Sequence, residues 1–145
     1  MTCSLTMTLI SEHQEGECGD DWKYELGVKV FDEGLKGEGL ISVSKHTLVA
    51  GAWEKPHGLP EPLIVYTGEC STELLVKLNL KATEVDLFMN DVGKASMEFK
   101  LECPGPSGGS LTKEVEIAAG VREAPVFLNK DSVFTVQVRF DLICE

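Results

Sequence analysis

Apolar and polar positions in this chain alternate far more often than they recur at helical spacing. Over residues 132–145, Phe134, Val136, Val138, Phe140 and Leu142 take every second place, with Thr135, Gln137, Arg139 and Asp141 between them. Successive side chains of a strand point to opposite faces, so this segment reads as a half-buried β-strand. Residues 22–31 repeat the pattern, with Trp22, Tyr24, Leu26, Val28 and Val30 set against Lys23, Glu25, Gly27 and Lys29. A first strand is predicted over 3–10, with Cys3, Leu5, Met7 and Leu9 on one face, and an acidic loop over 11–21.

The remainder follows the same period. Residues 32–39 hold Gly34, Gly37 and Gly39 and read as a turn; 40–53 are strand-like, with Gly51 marking a bulge or break. Pro56, Pro60 and Pro62 make 54–62 irregular. A short apolar run follows at 63–67. Residues 71–80 alternate Leu74, Val76, Leu78 and Leu80 and are assigned to a strand rather than a helix, since Ser71-x-x-Leu74 lacks the acidic residue of a capping box. Strands over 84–89 and 95–103 around a turn at 90–93 predict a hairpin. Residues 104–110 read as a loop, 111–117 as a strand, 120–125 as a turn and 126–128 as a short edge piece. Short alternating strands with Gly/Pro turns and uneven loops predict an all-β fold: an antiparallel two-sheet β-sandwich of about eight strands in a single domain.

A chain of 145 residues is about one domain long. Its formal charge of −11, from 13 basic and 24 acidic residues, argues against a nucleic-acid partner, which needs clustered cations. No apolar stretch approaches the ~18 residues of a membrane span. The N-terminal segment lacks the basic and apolar regions of a signal peptide. Five cysteines, Cys3, Cys18, Cys70, Cys103 and Cys144, are an odd number with no C-x-x-C pair, so reduced thiols in a cytoplasmic protein are expected. Cys103 and Cys144 read as packing residues at strand ends.

Motifs for catalysis are missing. His13, His46 and His57 form no HxH or HExxH pair. His13 is expected in an exposed loop and His46 on a solvated strand face. Ser107 lies among glycines with no following helix, unlike a nucleophile elbow. Phosphate-binding glycine loops are absent too. Calcium could draw on Asp86, Asn90 and Asp91 in the turn before residue 95, and no other cofactor is expected. Asp20-Asp21 and Asp32-Glu33 lie at opposite ends of a strand about 30 Å long and cannot share an ion. The segment VDLFMNDVGKASMEFKL, residues 85–101, resembles the strand–loop–strand of a C2 domain. It lacks the Asp-x-Asp pair that holds calcium there, so the resemblance implies a sandwich and no more.

Trp53 and Tyr66 flank the proline-rich loop. Aromatic rings beside a rigid loop suit recognition of a sugar or peptide, although a tryptophan in a chain with few aromatics is more often buried. The expected function is a binding or interaction module, with Trp53, Glu54, His57 and Tyr66 as ligand-binding residues and a small ligand or a protein as partner. A small hydrolase or isomerase using a loop histidine with a carboxylate is the alternative. A self-assembling subunit is a third, pairing through strand two or the last strand at a sheet edge to form a homo-oligomer.

Overall fold

The computed structural model describes residues 1–87, 89–123 and 129–145. Among the described residues nine strands run β1 (Cys3–Gly16), β2 (Asp21–Phe31), β3 (Leu35–Thr47), β4 (Trp53–Glu54), β5 (Leu63–Gly68), β6 (Glu73–Glu84), β7 (Asp91–Glu102), β8 (Gly109–Arg122) and β9 (Asp131–Cys144). All pairings are antiparallel and form two sheets. One has the order β4-β1-β9-β8, with β5 also on the β4 side of β1; the other has the order β3-β2-β6-β7. The expected two-sheet sandwich is what forms. Among the described residues no helix is long and apolar enough to cross a membrane.

The alternating residues meet between the sheets. Leu5, Met7, Trp22, Leu26, Leu74, Leu78, Phe134, Val138 and Phe140 are all fully buried in one core. Strands β1, β2, β6 and β9 bury every second side chain over most of their length, and matching the two apolar faces removes both from water. The seams along the two sides need glycine. A Cβ on Gly37 of β3 would collide with the Val65 carbonyl of β5, and one on Gly93 of β7 with the Gly120 carbonyl of β8. Sheet edges can approach that closely only where no side chain intervenes.

Four sequence expectations shift. β1 runs six residues past its expected end, because 11–16 keep pairing with β9. Only 32–34 form the turn after β2, so 35–39 belong to β3. Of the expected strand 84–89, only Glu84, the end of β6, lies in a strand among the described residues. Strand two (β2) and the last strand (β9) are interior to their sheets, so neither offers a free edge. The edge piece at 126–128 falls outside the described residues.

The cysteines also depart from expectation. Cys3–Cys144 links directly opposed residues of β1 and β9, and Cys70–Cys103 ties the β5–β6 connection to the end of β7. Cys103 and Cys144 are thus bridge partners rather than packing thiols. Only Cys18 is free, and burial pushes its thiol up from the usual range. Bridges of this kind persist in oxidising surroundings.

Candidate functional site

Two β-bulges build the site. In β1 the register against β9 shifts between Leu9 and Ser11. One extra residue reverses the parity of everything after it. Odd-numbered residues face the core before the shift; Glu12 and Gln14 face it afterwards, and both are fully buried. A second shift in β3, opposite the step from Trp22 to Tyr24, turns His46 inward where uninterrupted alternation would have left it in solvent. The two reoriented side chains meet between the sheets. His46 Nε2 lies 2.6 Å from Glu12 Oε1, and both side chains are at most 5% exposed.

Hydrogen bonding fixes the proton count of this pair. His46 Nδ1 lies 2.7 Å from the Ser44 carbonyl, which can only accept, so Nδ1 donates. Nε2 faces the carboxylate, and one proton lies between them. The result is a short charge-assisted bond closed off from water. Beside it sits the Tyr24 phenol, fully buried; burial first, then the Glu12 charge, hold it protonated far above the usual phenol range. The exposed His57 ring stacks on His46, with centroids 4.4 Å apart and planes 4° from parallel.

His13, the neighbour of Glu12, points the other way. Its ring stacks on Trp53 with centroids 4.4 Å apart and planes 13° from parallel, on the outer face of the β1 sheet. Its Nδ1 lies 3.0 Å from the Ala52 carbonyl, and Trp53 is its cross-strand partner. Trp53 remains 48% exposed. Residues 53–57 therefore wrap the margin of β1, holding one ring on the outside and one over the mouth of the sandwich. Gln14 anchors the same region: its side-chain Nε2 donates to the Leu48 carbonyl at 2.8 Å and the Gly19 carbonyl at 3.2 Å, while its backbone carbonyl accepts from the Gly51 amide at 2.8 Å.

Of the residues predicted for ligand binding, Trp53, Glu54 and His57 share this rim, with Glu54 exposed and paired to Glu12 across β1. Tyr66 does not belong with them. It pairs with Leu5 while Trp53 pairs with His13, which places it roughly 25 Å away along β1. It is buried, and its hydroxyl donates to the Glu69 carbonyl. His46 is not on a solvated face, because the bulge turns it inward, and His13 is on a strand rather than in a loop. Trp53 is exposed because β4 adds its two residues at the margin of the sheet. No known protein family matches the chain, and no curated protein matches it in sequence.

Asp86, Asn90 and Asp91 lie on the other side of Trp22. Asp86 Oδ1 accepts from the Leu87 amide at 2.6 Å, and Asn90 Oδ1 accepts from the Asp86 amide at 3.2 Å, the local bonding by which such side chains shape turns. Asp91 is buried opposite Glu84. Burial, followed by the charges of Asp86, Asp91 and Glu123, pushes Glu84 up to about 7. Among the described residues no three His, Cys, Asp or Glu side chains are arranged to hold a metal.

Glu12, Gln14, His13 and His46 are the residues whose roles sequence reasoning missed. Residues 11–17 read as solvated because nearly all are polar; nothing in the letters marks Ile10 as the bulge that turns two of them inward.

Proposed function

We propose that this chain is a non-enzymatic binding module that grips the flat apolar face of a neutral saccharide ring against Trp53. One observation carries the reading: the Trp53 indole is half exposed, yet one of its faces is already stacked on a His13 ring that is itself fixed by β1 and the Ala52 carbonyl. A preorganised ring gives contact area at little entropic cost. The hydrolase or isomerase alternative finds less support, because His46 has both nitrogens occupied and its carboxylate faces the core. The two bridges favour an oxidising compartment over the cytoplasm as the place of work.

The test is a fluorescence titration with neutral oligosaccharides. Trp22 is fully buried, so a ligand-dependent change reports Trp53. Saturable change in the wild type that disappears in Trp53→Ala supports the reading; no change with any saccharide removes it.

A protein partner is the second reading, favoured by β8. Residues 109–114 are exposed on both faces of an edge strand that carries a ladder on one side only. Such an edge can accept another strand, including one from a second copy. Light scattering that shows a strict monomer at high concentration would exclude self-pairing.

A further inference from the structure

The outer face of the β3-β2-β6-β7 sheet is where the chain departs most from its overall acidity. Cross-strand partners place Ser42, Glu25, Lys81 and Lys94 in one row and Lys23, Thr83 and Val92 in the next. Lys81 thus stands between Glu25 and Lys94, so this row sets two ammonium groups against one carboxylate. Farther along this face Lys77 lies 3.8 Å from Glu98 and Lys100 lies 3.3 Å from Glu73. Among the described residues none of the Lys23, Lys81 and Lys94 ammonium groups has a carboxylate within 4.0 Å.

The face is concave around Lys23 and Lys81. A cavity of about 370 Å³ opens beside the β6–β7 connection, with Lys23, Lys81, Ser42, Ser44, Thr83 and Asn90 among its lining residues. Half-exposed Val92 adds an apolar patch. The volume falls in the range of small-molecule sites, above what a bare ion fills. Two ammonium groups, three hydroxyls and an amide form a donor-rich set suited to a group with several acceptor oxygens. Glu25 on the wall disfavours a diffuse polyanion and leaves room for one compact anionic group.

We infer that this cavity binds a monosaccharide-sized ligand carrying a tetrahedral oxyanion ester, a sulfate or a phosphate, with Lys23 and Lys81 as its charged contacts. The site is separate from the Trp53 rim and does not depend on the reading given to it.

The experiment is an amide-shift NMR titration at low ionic strength, where exposed charges are least screened. Its probes are glucose 6-sulfate, glucose 6-phosphate and glucose. One or both esters should bind saturably, shifting Ser42, Ser44, Lys81, Thr83 and Val92, and the tighter of the two identifies the natural ester. Lys81→Gln and Lys23→Gln should each weaken binding about tenfold, the loss of one charge-assisted contact. Lys77→Gln, outside the cavity lining, should leave it unchanged. Equal binding of glucose, no saturable binding of either ester, or equal weakening by Lys77→Gln would each overturn the assignment. All three positions are on the sheet surface, so the variants are expected to fold.

Discussion

The two ends of the sandwich are held by different chemistry. At the end where β1 starts and β9 finishes, two covalent bridges close the structure, and the side chains around them are apolar. At the other end there is no bridge. There the chain buries Glu12, Gln14, Glu84 and Asp91 on either side of Trp22, whose cross-strand neighbours are His46 and Glu84. Within this polar end the problem of a buried carboxylate is solved in two ways. Glu12 has an imidazole at bonding distance, whereas Glu84 has other carboxylates and the turned-in Gly19 against it, so it retains its proton up to near neutrality. Rigid cross-links thus sit away from the candidate site, and groups whose state depends on solution conditions sit close to it. The comparison suggests that stability and responsiveness were assigned to opposite ends.

Breaking the bridged end should have the largest effect. Residues 141 positions apart in one bridge and 33 in the other close long loops, and the chain-entropy model assigns each about 4–5 kcal/mol. Urea unfolding of Cys3→Ala/Cys144→Ala should show a loss of that order in unfolding free energy; an unchanged free energy would mean that this end needs no staple. Next comes His46→Ala, which strands the Glu12 carboxylate in the core and should cost about 3–5 kcal/mol. A loss below 1 kcal/mol would show that Glu12 simply takes up a proton or finds water.

The pH dependence belongs to Glu84. Its folded value of about 7 lies above the ordinary 4.5, so the native state holds a proton that the unfolded chain releases. Stability is therefore present in full below about pH 4.5 and falls as pH rises towards 7. Glu84→Gln keeps the shape without the titration. It should stabilise the protein by about 3 kcal/mol at pH 7.5, with little effect at pH 4.5. Equal effects at the two pH values would assign the dependence elsewhere. The smallest change is expected from Trp53→Ala: a half-exposed ring at the sheet margin should alter stability by no more than about 0.5 kcal/mol while abolishing any saccharide response.

How much of this could be read from the letters follows from the period of two. Where alternation is unbroken, as in β2 and β9, element, face and core residues all follow from sequence. It fails where parity is reset. Residues 11–16 carry no alternation of apolar and polar letters, so nothing marked them as strand, and the burial of Glu12 depends on a bulge that local composition does not encode. Tyr66 lies apart from Trp53 for a related reason. It is near Trp53 in sequence, but the intervening loop carries the chain the length of β1. The bridges were beyond reach because cysteine count cannot reveal that Cys3 and Cys144 are cross-strand neighbours.

The inserted residue in β1 has a consequence for how the site tolerates changes in chain length. Ser11 already stands opposite Gln137, the residue next to Leu9's partner Val138. Deleting Ile10 would therefore straighten the strand and leave Glu12 opposite Val136, with Glu12 and Gln14 still facing the core and His13 still outside. The bulge absorbs one extra residue between Leu9 and Glu12 without moving the side chains beyond it, so a related chain one residue shorter at this point can hold the same site on an unbroken strand.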